Sequence, residues 1–130
     1  METRKNIMKP LKIYCAGKYS ADNTIQTLQN IGRGQKMAAE LFALGFAPFC
    51  PWWDRTFIMD NPYLDFDKSR FYDASLAWME CSDAVYVISG AGDGGGVDAE
   101  IKRAGELYIP VFHNLEKLIA WDNSIKDVLK

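Results

Sequence analysis

The chain is poor in the residues that build metal sites and disulfide frameworks. It has one histidine, His113, and three cysteines, Cys15, Cys50 and Cys81, in 130 residues. A lone imidazole does not make a metal site, and the cysteines lack zinc-ligand spacing. An odd number of cysteines beside apolar runs reads as free thiols in a reducing compartment. No basic run stands out beyond Arg4, Lys5, Lys9 and Lys12, and the net charge is −2. Without a basic face to neutralise phosphates, a polymeric nucleic acid is disfavoured as partner, though a single nucleotide is not. No apolar run is long enough to span a membrane. The opening METRKNIMKP lacks the apolar stretch of a signal peptide, so the cytoplasm is the expected location.

What the chain does contain is enough apolar material for a core. Hydrophobic residues make up 48% and charged residues 25%, which argues against global disorder. The length fits one domain, residues 1–130, with residues 1–10 expected to be flexible. Leu11–Ala16 is a short apolar run closed by Gly17 and reads as a first buried strand. Residues 17–30 are polar and read as a loop or the approach to a helix. From Ile31 to Leu44 the spacing is helical, and Gly45 stands where a helix stops. Phe46–Cys50 reads as a second strand. Residues 51–68 read as a long connection rich in aromatics and acids, and such connections often bind ligands.

A second helix is expected over Ser69–Cys81. Ala84–Ile88 is the clearest strand. The glycine-rich run Gly90–Gly96 follows it, then a helix over Val97–Leu107 and a fourth strand, Ile109–Phe112. Residues 115–121 and 125–129 have helical character. Strands alternating with helices predict a parallel sheet covered on both faces. The expected architecture is a Rossmann-like, flavodoxin-like three-layer α/β sandwich with four or five parallel strands.

In such sheets ligands bind beyond the carboxyl ends of the strands. Gly17, Tyr19 and Asp22 follow the first strand, Trp53 and Asp54 the second, and the glycine run the third. Glycines let a backbone approach a ligand, and the N–H groups opening the next helix favour an anion or a sugar edge. The run matches neither the Walker pattern nor a strict dinucleotide fingerprint. A flexible strand–helix turn is the plain alternative. Glu100 lies early in the following helix, and Asp98, two residues away, points elsewhere. A surface acid satisfying the helix dipole is the competing reading for Glu100.

Three runs carry a family resemblance. Ile13-Tyr14-Cys15-Ala16-Gly17 is similar to the Tyr-x-Ala-Gly opening of the nucleoside 2-deoxyribosyltransferases. Phe71-Tyr72-Asp73-Ala74-Ser75-Leu76 precedes Cys81-Ser82-Asp83-Ala84-Val85 as that family's acidic helix residue precedes its third strand. Gly96-Val97-Asp98-Ala99-Glu100-Ile101, followed by Ala104 and Ile109-Pro110-Val111, resembles the family's nucleophile segment. The resemblance spans residues 11–112 and is nearest to a small bacterial and phage branch.

The resemblance implies cleavage or transfer of the N-glycosidic bond of a (deoxy)nucleoside or nucleoside 5′-monophosphate. Glu100 would be the nucleophile that forms a glycosyl–enzyme intermediate. Asp73 would protonate or orient the leaving base, and Tyr14 would orient Glu100. Gly17, Lys18, Tyr19, Trp53 and Asp54 would line the substrate, with Gly92, Asp93, Gly94, Gly95 and Gly96 on the loop side. Trp53, Phe57 or Tyr19 would stack on the base, although core packing explains an aromatic equally well. No metal or redox cofactor is required. A homodimer or higher homo-oligomer is expected by resemblance, with the aromatic segment 52–72 as a candidate interface.

The pattern departs from the family in three places. The loop Gly94-Gly95-Gly96 has no serine to hold a 5′-phosphate. Gly94 replaces the acid that grips the sugar 3′-hydroxyl. Lys18 replaces the proline after the first-strand glycine, and at the mouth of the site it would meet a phosphate. Two other readings remain open at this point. One is a non-catalytic nucleotide sensor on the same fold. The other is a phosphoribohydrolase similar to the cytokinin-activating lysine-decarboxylase-like proteins, whose Pro-Gly-Gly-x-Gly-Thr spacing is missing.

Overall fold

A computed structural model of the chain describes residues 9–18, 21–61, 63, 67–88 and 96–128. Four strands form one parallel sheet: β1 (Lys12–Ala16), β2 (Ala47–Phe49), β3 (Ala84–Val87) and β4 (Val111–Phe112), in the order β2-β1-β3-β4. The expected α/β architecture with a parallel sheet is the one observed. Tyr14 pairs with Phe49 on one side and Val85 on the other, and Val85 pairs with Val111. The backbone N–H of Lys12 donates to Oδ2 of Asp83 at 2.7 Å, and the Asp83 N–H donates to the Lys12 carbonyl at 2.8 Å. This reciprocal pair pins the start of β3 against β1.

The connections are helical. α1 is Thr24–Ala43, a 3-10 turn covers Pro51–Asp54, and α2 is Arg55–Asp60. α3 is Lys68–Glu80, α4 is Gly96–Glu106 and α5 is Leu115–Val128. α1 begins seven residues before the expected Ile31. Its signal is the cap: Asn23 is extended, and its side chain accepts from the Gln26 N–H at 2.8 Å. Thr27 is buried in the first turn, where its hydroxyl accepts from the Ala21 N–H at 3.0 Å. The helix ends as expected, at Gly45 with φ +98°, which a side chain would strain. The connection 51–60, read as a loop, is helical instead. The tail is one helix rather than two segments.

Strand alternation sorts the core onto the two faces of the sheet. Ile13, Cys15, Ala84, Tyr86 and Ile88 face Leu41 of α1, Trp52 of the 3-10 turn and Leu118 of α5. Tyr14, Ala16, Val85 and Val87 face Met79 of α3 together with Val97 and Ala104 of α4. Both faces are therefore covered, as a parallel sheet requires. Among the described residues no helix is long and apolar enough to cross a membrane.

Candidate active site

The second core layer contains two polar groups. Tyr14 is fully buried, although it carries a hydroxyl, and Glu100 is only 8% exposed. The helical period explains the position of Glu100. Val97, Glu100, Ile101 and Ala104 recur at i, i+3, i+4 and i+7, which is the stripe α4 turns to the sheet. Asp98 lies off that stripe and is exposed. A carboxylate on an otherwise apolar stripe is held against the core by its neighbours on the same helix.

Four elements bring side chains to this place. Tyr14 comes from β1, Glu100 from α4, Ser75 from α3 and Asp54 from the end of the 3-10 turn. The Tyr14 hydroxyl lies near enough to Glu100, Ser75 and Asp54 for all three to act on its proton. It still completes no well-formed hydrogen bond among the described residues, and neither does Oε2 of Glu100. A buried polar atom left unpaired costs about 1–3 kcal/mol. Two such atoms side by side are a site in want of a ligand's donors and acceptors.

The electrostatics follow from burial. Loss of water raises the Glu100 carboxyl from its ordinary 4.5 to about 7, and the Tyr14 hydroxyl works in the opposite direction. Near neutral pH the group is therefore close to half ionised, as suits a nucleophile or proton carrier. Burial first, then the charge of Glu100, holds the Tyr14 phenol firmly in its protonated form. Tyr14 is thus a donor facing the carboxylate, and Glu100 is the group that titrates.

Asp73 does not join this cluster. Ser75 occupies the inward position of α3, in line with Met79 one turn on, and Asp73 is exposed two residues earlier. Residues two apart on a helix face different directions. Asp54, expected only as a substrate contact, is buried, and its charge adds to those that keep the Tyr14 phenol protonated. Trp53 is 54% exposed and meets Phe57 edge to face at 4.9 Å. Its neighbour Trp52 is the buried one. Its ring lies where a Cβ on Gly17 or Gly34 would come within 2.9 and 2.6 Å, and its Nε1 has no partner among the described residues. Gly17 is therefore needed for the packing of Trp52, whatever its role toward a ligand. Lys18 follows it and is exposed. Tyr19, Gly92, Asp93, Gly94 and Gly95 lie outside the described residues. Gly96 opens α4.

Ser75 and Trp52 were missed by sequence reasoning. The four-residue spacing of Phe71, Ser75 and Met79 was the available signal for Ser75. For Trp52 the signal was weaker, two adjacent tryptophans of which one had to face the core.

No protein-family model and no curated protein matches the sequence. Among solved structures the fold is similar to a 2-deoxyribosyltransferase of the bacterium Bacillus psychrosaccharolyticus. The TM-score is 0.54 and the identity 21%, over 77% of this chain and 69% of the other. At that identity the likeness concerns the fold.

Proposed function

We propose that the protein cleaves or transfers the N-glycosidic bond of a (deoxy)nucleoside or nucleoside 5′-monophosphate, with Glu100 as the nucleophile. The observation that carries this reading is the buried Oε2 of Glu100, which completes no well-formed hydrogen bond among the described residues and lies in reach of the Tyr14 hydroxyl. The fold likeness to a 2-deoxyribosyltransferase supports it. Glu100 attacks the anomeric carbon as the bond to the base breaks, forming a glycosyl ester. Water or a second base then attacks the same carbon and returns the electron pair to the carboxylate, so two inversions give net retention. Tyr14 donates toward the carboxylate and fixes its orientation. Lys18, exposed beside Gly17, is a cation that could meet a 5′-phosphate.

The test is a chromatographic screen with nucleosides and 5′-monophosphates, with and without a free acceptor base. Base release or exchange by the native chain, abolished in a folded Glu100→Ala variant, is the expected result. Full activity in that variant removes Glu100 from the mechanism. A panel without turnover, with a nucleotide retained intact, replaces the enzyme by a binding protein.

A further inference from the structure

The cysteines take no part in the chemistry at Glu100, and two of them lie together. β1 and β2 run parallel in register, with Ile13 beside Pro48 and Tyr14 beside Phe49. One residue further in the same register sets Cys15 beside Cys50. Paired positions on neighbouring strands lie about 5 Å apart. A disulfide spans Cα separations of roughly 4.4–6.8 Å. Both side chains turn to the same face of the sheet: Cys15 belongs to the buried cluster there, and Cys50 packs against it. Both thiols are free. They are in hydrogen-bond reach of each other, with Cys15 as the donor, and the Cys50 thiol in turn reaches the Gly34 carbonyl of α1 at 4.0 Å.

The two thiols differ in access and in acidity. Cys15 is fully buried, whereas Cys50 is half-buried. The hydrogen bond from Cys15 pulls the Cys50 thiol below its ordinary value, against the effect of burial. The same bond, and then burial, pushes the Cys15 thiol up. The thiolate is the form that attacks an oxidant. Cys50 is therefore the thiol that reacts first, and Cys15 is the neighbour that resolves it. Cys81 is exposed and follows α3, which covers the opposite face of the sheet.

We propose that Cys15 and Cys50 form a reversible disulfide in response to peroxide, stapling β1 to the residue that enters the 3-10 turn. The Cys50 sulfur attacks one peroxide oxygen as the O–O bond breaks, and the released hydroxide leaves as water with the Cys50 proton. The Cys15 sulfur then attacks the Cys50 sulfur as the S–O bond breaks. The second hydroxide leaves as water with the Cys15 proton. Two thiols lose two electrons to one hydrogen peroxide, which becomes two waters. In a reducing compartment such a bond is transient, and a dithiol reverses it by exchange. The staple joins the strand that carries Tyr14 to the turn that carries Trp52, and it does not depend on any reaction at Glu100.

The experiment treats the folded full chain with hydrogen peroxide, alkylates the remaining thiols and maps the digest by mass spectrometry. A Cys15–Cys50 link with Cys81 alkylated is the expected result, and dithiothreitol should restore all three thiols. Closing a loop of about 35 residues should raise the melting temperature by about 5–15 °C. Cys15→Ser should stop at a sulfenic acid on Cys50 that dimedone traps, and Cys50→Ser should leave Cys15 reduced. If Cys15→Ser does not fold, Cys15→Ala takes its place, and the map of the native chain needs no variant. Links made only through Cys81, or a Cys15–Cys50 link formed only when peroxide is added in urea, overturn the proposal. So do thiols left intact by peroxide that oxidises free cysteine. No rise in melting temperature on oxidation overturns the staple.

Discussion

Replacing Glu100 by Gln should stabilise the protein, and only above a definite pH. The folded carboxyl titrates at about 7 against 4.5 in the open. Below pH 4.5 the group is protonated in both folded and unfolded chains, so glutamine and glutamic acid are near equivalents. Between these two values the unfolded chain ionises while the folded one keeps its proton. The folded state binds more protons there, and stability falls as pH rises. Each pH unit of that interval costs about 1.4 kcal/mol, so the whole of it costs about 3 kcal/mol. Above pH 7 the loss is complete and constant. Urea denaturation of both chains at pH 4.5, 6, 7 and 8 measures it. The midpoints should coincide at the lowest pH and diverge in favour of Glu100→Gln up to about pH 7. A difference that is flat across the series would refute the claim that Glu100 is desolvated. The same carboxylate must be ionised to attack, so kcat/KM should rise with pH over the range in which stability falls.

Two further perturbations probe the supports of the site. Tyr14→Phe removes the hydroxyl that eases Glu100 ionisation. The rising limb of the pH profile should move above its native midpoint, and neutral-pH activity should fall by about 10–100-fold, the worth of one hydrogen bond to a charged group. A limb that stays in place refutes the coupling. On α1, Gly34→Ala would set a methyl 2.6 Å from the Trp52 ring, whereas the space around Gly32 is open. Thermal melts should show Gly34→Ala destabilised by about 1–3 kcal/mol. Gly32→Ala should be stabilised by about 0.5–1 kcal/mol from helix propensity. Equal responses at the two positions would mean that Trp52 does not sit against α1.

The sheet was legible because each buried strand is an apolar run bounded by polar or glycine residues, and parallel strands bury both faces. The front of α1 was not, and the reason is visible at Ile25 and Leu28. They are 71% and 58% exposed, so the apolar residues of 24–30 point away from the core and blur the helical period. The cap at Asn23 was the better signal. Glu100 could be singled out because it follows the glycine run. Its burial could also be anticipated from the spacing of Val97, Ile101 and Ala104. Whether Ser75 or Asp73 turns inward depends on the phase of α3, and two residues of phase separate a half-buried side chain from an exposed one. The inward turn of Asp54 depends on a short 3-10 turn with three residues per turn, anchored by Trp52. No periodicity extends over so few residues.

The strands at the two edges of the sheet are very short. β2 has three residues with Pro48 at its centre, and β4 has two. Pro48 supplies no N–H, and a two-residue strand gives almost no ladder for another chain to extend. Strand-to-strand growth between molecules, the usual route from an open sheet to aggregates, therefore starts from a poor template at either end. Should two copies associate, they must do so through side chains rather than by continuing the sheet.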